Sequence, residues 1–420
     1  MMKFTRRSLL ATGSAMVLAA GLGLSAPALA QSGEPIKIGF SMALTGGLAS
    51  NGKAALAAMQ IWEEEINGRG GLIGRPVKLV YYDDQSNGAT VPGIVTKLID
   101  VDKVDLLLSG YSTAAIAPAM PIVIQKKMVF LTLLGFNMNS EFKYDRYFSM
   151  IPAGSDANRD FSKGFLEVAA TMDPKPKSIA VVNLDAEFPK RASDGLKDNL
   201  KKYDLKVVYD QSYPPTTVDF LPIIRAVAAA KPDLVYFVSY PVDSAGLIRA
   251  IREVGLKAMM VGGGMVGPQI GSFKTMMGPA MNNMVIWDTY VPEKTLNFPG
   301  IQELLAKYQP RSQGLDPLGF YVPPLAYANM QILEQAVTKV GKIDQGALAE
   351  YMHANTFSTV LGDVKFDKMG EWSQERLLLV QYQNINGNGL EQFKQPGTQA
   401  ILYPPQYKSG NLVYPFEAKR

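Results

Sequence analysis

Ser112 and Thr113 are the residues whose setting best suits binding chemistry. They follow a short apolar run and open a helical pattern, which puts two hydroxyls at a helix N-terminus. The first backbone N–H groups of a helix have no acceptor within it, and together with such hydroxyls they suit a carboxylate. A plain structural alternative exists, because Ser is a preferred N-cap and residue type alone favours that reading of Ser112. Tyr111, Phe136, Phe188 and Tyr240 stand at or just beyond the ends of apolar runs. Taken singly, each aromatic suits a core position. Their shared place at strand ends makes them candidates for lining a cleft.

Catalytic sets do not assemble. The chain has one His and no Cys. It has neither a Gly-x-Ser-x-Gly elbow nor a His-Glu-x-x-His zinc pattern, so the usual nucleophile–base pairs cannot form. Asp83 and Asp84 could pair for acid–base work or a metal, but they follow a strand and read better as a turn. His353 reads as a surface or helix-end residue. Gly262-x-Gly264-x-x-Gly267 follows a strand and has Asp288 about 20 residues on, the formal dinucleotide fingerprint. It falls late in its series instead of after a first strand, and Pro268 suits a loop. No cofactor and no metal are expected.

The elements that must hold these residues alternate between apolar runs and helical patterns. Strands are predicted at 36–41, 77–82, 105–109 and 129–132, with helices at 54–66, 91–101 and 114–125. A second series has strands at 178–183, 205–213, 234–238 and 257–261, with helices at 190–202, 219–230 and 243–254. Short, continuously apolar strands separated by helices belong in parallel sheets covered on both faces. Two such series predict two doubly wound α/β lobes. The section 297–355 is mostly helical, with its longest helix over 325–340, and strands return at 359–366 and 376–383. The Pro-, Gly- and Tyr-rich segment 395–420 reads as an extended tail against the surface.

The N-terminus carries Lys3, Arg6 and Arg7, then a largely apolar stretch from Ser8 to Leu24, then Ala28-Leu29-Ala30. That order is a secretory signal with cleavage expected before Gln31. Thr5-Arg6-Arg7-Ser8-Leu9-Leu10 also resembles a twin-arginine signal, so both the general secretory and the twin-arginine route stay open. Removing the signal takes three positive charges from a formal +4, leaving a nearly neutral chain of about 390 residues, the size of two ordinary domains. Basic and acidic residues are interspersed, which gives no footprint for nucleic acid. An exported chain without Cys has no disulfide and relies on its core for stability.

Four segments carry a resemblance. They are Ile36-Lys37-Ile38-Gly39-Phe40 with Leu44-Thr45-Gly46; Glu65-Ile66-Asn67-Gly68-Arg69-Gly70-Gly71-Leu72-Ile73-Gly74-Arg75 running into Val77 to Asp84; Gly110-Tyr111-Ser112-Thr113; and Ile251-Arg252-Glu253-Val254-Gly255-Leu256. In order and spacing they resemble the leucine/isoleucine/valine-binding protein family, the type I periplasmic solute-binding proteins of ABC transporters. The glycines of the second segment end a helix and turn the chain, so that segment marks the fold, not the site. The resemblance implies two lobes joined by three crossovers, near Pro152, Trp287 and Ser358, with ligand in the interlobe cleft. One lobe would be 31–151 with 288–357, the other 152–287 with 358–394.

The resemblance also turns Ser112 from a cap into a ligand group, because the matching position holds a ligand carboxylate. It implies a site of Asn51, Tyr111, Ser112, Thr113, Leu134, Gly135, Phe136, Phe188, Tyr240, Gly264 and Met265. Two departures from amino-acid-binding relatives stand out: Phe136 replaces a Thr, and Gly264 replaces an acidic residue that pairs with the ligand ammonium. A buried ammonium without a carboxylate costs several kcal/mol, so the expected ligand is a small organic acid, aromatic or otherwise apolar. Asp243 and Asp288 are the nearest acids that could compensate, which keeps a branched-chain amino acid, an amide or urea open. The implied partners are an ABC permease and its ATPase, with the chain acting as a periplasmic monomer and not as an enzyme. A sensor for a membrane receptor and an exported hydrolase using paired carboxylates are the remaining alternatives.

Overall fold

The computed structural model describes residues 33–418. The signal-like segment and its cleavage point lie outside the described residues. Strands β1 (Ile36–Met42), β2 (Val77–Asp83), β3 (Leu106–Tyr111), β4 (Phe130–Leu133) and β5 (Tyr147–Ser149) form one parallel sheet in the order β2-β1-β3-β4-β5. Helices α1 (Ala49–Gly68), α2 (Val91–Asp100) and α3 (Thr113–Lys126) connect them, with the short α4 (Asn139–Phe142) before β5. Every residue of β3 and β4 is buried, as a sheet covered on both faces requires.

The second sheet begins after α5 (Ala157–Ala170). It takes β6 (Ser178–Leu184), α6 (Glu187–Leu200), β7 (Lys206–Tyr213), α7 (Leu221–Ala230), β8 (Leu234–Ser239) and α8 (Pro241–Val254). After the two-residue β9 (Lys257–Ala258) come β10 (Met260–Met265), α9 (Gly271–Met277) and β11 (Met284–Asp288). Two later strands, β14 (Leu378–Tyr382) and β15 (Gln399–Tyr403), add antiparallel at the edge, giving the order β15-β14-β11-β10-β8-β6-β7. Between β11 and β14 in sequence, α10 (Ile301–Tyr308), α11 (Val322–Val340), α12 (Gln345–Ala354) and the hairpin β12 (Thr356–Thr359) to β13 (Gly362–Lys365) return to the first lobe, where α11 packs on α1 and β4.

Three details depart from the sequence reading. The run 359–366 is not one strand of the second lobe: Gly362 at φ +77 turns it into the β12–β13 hairpin, and Gln335 holds the Ser358 carbonyl at 2.9 Å beside α11. The chain stays against the first sheet as far as Gly370, whose carbonyl accepts the Ser149 N–H at 2.8 Å, and then runs alongside Pro152, whose carbonyl accepts the Arg376 N–H at 2.9 Å. The segment from 395 is more than surface packing, since β15 extends the second sheet and β16 (Phe416–Glu417) pairs with β9. Finally, Gly262 to Met265 are the last four residues of β10, which runs on past the strand end expected at 261. A Cβ on Gly263, at φ +105, would stand 2.6 Å from the Tyr236 ring, so the glycines let β10 lie close to β8.

Candidate ligand cleft

The C-terminal ends of β3 and β4 face those of β8, β10 and β11 across a nearly closed cleft with a cavity of only about 20 Å³. Its walls are Tyr111, Ser112, Thr113, Leu134, Phe136, Ile151, Phe188, Tyr240, Val266, Trp287 and Tyr321. Seven of these are residues named from the sequence: Tyr111, Ser112, Thr113, Leu134, Phe136, Phe188 and Tyr240. Four named residues stand behind the wall. Asn51 donates its amide to the Tyr111 hydroxyl at 2.7 Å. Gly135 turns its carbonyl toward Ser149 at 2.8 Å and Tyr147 at 3.2 Å. Gly264 and Met265 lie inside β10, where a Cβ on Gly264 would meet Val238 at 3.0 Å and Phe161 at 3.2 Å.

Sequence reasoning did not place Ile151, Val266, Trp287 and Tyr321 in this site. Trp287 and Ile151 stand at or beside the positions where the resemblance implies crossovers, and side chains at crossovers face the gap between lobes. That was a usable signal. Tyr321 precedes α11 and reaches the cleft only because the helical section folds back onto the first lobe; nothing local marks it.

Ser112 holds the N-cap position of α3 yet does not cap it. Its backbone sits at φ +86, ψ 152, a region that side chains avoid, and its side chain makes no cap hydrogen bond. The Ser112 hydroxyl is buried without a partner, as are the Tyr240 hydroxyl and the Trp287 indole N–H. Thr113 is differently engaged, for its hydroxyl accepts the Phe136 N–H at 3.1 Å. The Tyr111 and Tyr321 hydroxyls are 3.1 Å apart, and burial pushes the Tyr111 phenol up to about 12, so it stays protonated.

Aromatic rings fill the opposite side. Phe136 packs edge-on against Phe161 at 5.1 Å and Phe188 at 5.5 Å; Phe161 reaches Trp287 at 5.3 Å, and Trp287 meets Tyr321 edge-on at 5.6 Å. No carboxylate lines the cleft among the described residues. Asp243 lies by Tyr213, and burial raises it to about 6. Asp288 follows Trp287; its Oδ1 accepts the Thr289 N–H at 2.7 Å, its Oδ2 is buried without a hydrogen-bond partner, and burial raises it to about 7.

The other chemical candidates have structural employment. Asp83 accepts the N–H groups of Leu44, Thr45 and Gln85 and orders the turn after β1, while Asp84 accepts the Ser86 N–H at 2.9 Å. His353 ends α12 with its ring nitrogens 2.9 Å from the carbonyls of Asp367 and Asp145. No helix among the described residues is long and apolar enough to cross a membrane.

The chain and its fold have counterparts in known proteins. An amino acid binding protein of Pseudomonas aeruginosa is 26% identical over 359 residues, covering 85% of this chain and 91% of that one. A leucine binding protein of Thermotoga maritima superposes with a TM-score of 0.70 at 20% identity, over 83% of this chain and 96% of that one. A solute binding protein of an ABC transporter from R. palustris, in complex with benzoate, gives 0.71 at 18% identity, over 88% and 96%. Residues 35–386 match the periplasmic binding protein family as a whole. The chain belongs to that family and is a solute-binding protein, not an enzyme.

Proposed function

We propose that this protein captures an aromatic or comparably apolar carboxylate in the periplasm and delivers it, as a monomer, to an ABC permease and its ATPase. The observation that carries the ligand class is the Ser112 hydroxyl, buried and unpartnered beside the first N–H groups of α3, in a cleft lined by rings and lacking any carboxylate. A buried hydroxyl with no partner is destabilising unless a ligand completes it, and the helix N-terminus favours an anion there. Edge-on aromatic packing supplies slots of the kind that hold another ring. An amino acid would bring an ammonium into the same wall and find no acid to pair with.

Transport fits the arrangement mechanically. The three passages between lobes allow hinge closure, and closure buries ligand between the two sheet ends. The benzoate complex of the R. palustris protein supports an aromatic acid, while leucine-binding relatives support an amino acid as the second reading. Thermal-shift measurements on the mature chain separate the two, because ligands that bind the folded state raise its melting temperature by mass action. Benzoates and phenylpropanoid acids are expected to raise it, and leucine, isoleucine and valine to leave it unchanged. The reverse pattern would sink the aromatic-acid reading.

A further inference from the structure

Proton counting in the cleft identifies a second recognition point. Asn51 donates to Tyr111 at 2.7 Å, and the Tyr111 and Tyr321 hydroxyls share one hydrogen bond at 3.1 Å. Two phenols bring two O–H protons. One is spent between them, whichever is the donor, and the other has no acceptor among the described residues. The Trp287 ring, packed on Tyr321 at 5.6 Å, adds an indole N–H that is also unpartnered, on a side chain only 3% exposed. An indole N–H can donate and cannot accept.

These donors exceed what one carboxylate receives. A carboxylate offers about four lone-pair sites. The hydroxyls of Ser112 and Tyr240, which lie together, and the free N–H groups at the start of α3 suffice to fill them. The Trp287 N–H and the spare phenol O–H are left over, in a cleft where the Trp287 and Tyr321 rings lie 5.6 Å apart. Unmatched buried donors of this kind are costly, so a ligand that supplies an acceptor is selected over one that does not.

Resting on the aromatic-acid reading, we propose that the true ligand carries a second oxygen acceptor besides its carboxylate, received by Trp287 Nε1–H and by the Tyr111–Tyr321 pair. Trp287 is then the residue that sets ring-substituent specificity. A ligand of carboxylate, ring and ether, carbonyl or hydroxyl oxygen satisfies every free donor, whereas an alkyl-substituted ring leaves two of them stranded.

Isothermal titration of the mature protein with the 2-, 3- and 4-methoxybenzoates against the matching ethylbenzoates tests this, since each pair differs by one oxygen in place of a methylene. At one ring position the methoxy acid should bind roughly tenfold tighter. W287F should bring that ratio to within about twofold while still binding the ethyl acid. Y321F, which keeps the ring and loses the hydroxyl, should reduce the ratio too, and it serves if W287F does not fold. Equal binding of every pair by the wild type overturns the proposal and leaves the aromatic-acid reading standing. A preference that survives both variants also overturns it. Failure of all six acids to bind removes the aromatic-acid reading together with this inference.

Discussion

The Thr113 hydroxyl accepts the Phe136 N–H at 3.1 Å, joining the first residue of α3 to the loop after β4. Both residues are buried, at 1% and 0% exposure, so no water can take over the bond. This one contact fixes the hydroxyl end of the cleft relative to its aromatic end. Thr113→Ala leaves the Phe136 N–H stranded and should cost about 1–3 kcal/mol in urea unfolding. Thr113→Ser keeps the oxygen and should recover most of that loss. Equal destabilisation by Ala and Ser would mean that the methyl packing, and not the hydrogen bond, holds the loop.

Ser112 invites the opposite experiment. Its hydroxyl does not cap α3 and has only the Tyr240 hydroxyl beside it, and its backbone is held at φ +86. Ser112→Gly relieves that strain and should raise stability by about 1 kcal/mol or more. It should also weaken binding of the carboxylate roughly tenfold, because a charge-assisted hydrogen bond is lost. The two changes in opposite directions, read by urea unfolding and by titration, distinguish a ligand group from a cap. A cap residue would lose stability on the same substitution.

Most of the fold was legible because parallel strands buried on both faces read as continuous apolar runs. Predicted 234–238 and observed Leu234–Ser239 differ by one residue for that reason. What failed to show has specific causes. β5 has three residues, too short to give a period. β15 lies in a segment whose composition says turn, yet it finds an edge of the second sheet to pair with. Gly362 breaks one apparent strand into a hairpin through a positive φ that no periodicity reports.

The candidate cleft was legible where side chains sit at or just past strand ends, as Ser112, Phe136 and Tyr240 do. It was illegible where tertiary folding alone brings residues in, as with Tyr321. Gly264 is instructive in the other direction. Its place in the sequence suggested a ligand loop that had lost an acid, whereas it lies inside a strand with Val238 and Phe161 at contact distance. Restoring an acid there would not restore an ammonium site. Gly264→Asp should bury an unpaired carboxylate against apolar neighbours and lower the melting temperature by well over 5 °C, without conferring binding of leucine. Titration showing leucine bound by a well-folded Gly264→Asp protein would refute this placement.

Asp288 gives the folded state a pH dependence with a definite sign. Its carboxyl is 1% exposed, and burial raises it from the ordinary carboxylate range to about 7, against the opposing pull of Lys274. A raised folded value means the folded protein holds the proton that the unfolded chain releases near pH 4. The contribution is therefore fully present below about pH 4 and is lost as pH rises through about 7. Asp316, buried nearby, pushes in the same direction as Asp288's burial; Lys274, fully buried and without a partner, is itself lowered. Asp288→Asn keeps the oxygen that accepts the Thr289 N–H and removes the titration. The melting temperature of the wild type, measured relative to Asp288→Asn, should fall from pH 5 to about pH 7 and level off above it. A difference that stays constant across that range would show that Asp288 titrates at an ordinary value in the folded protein.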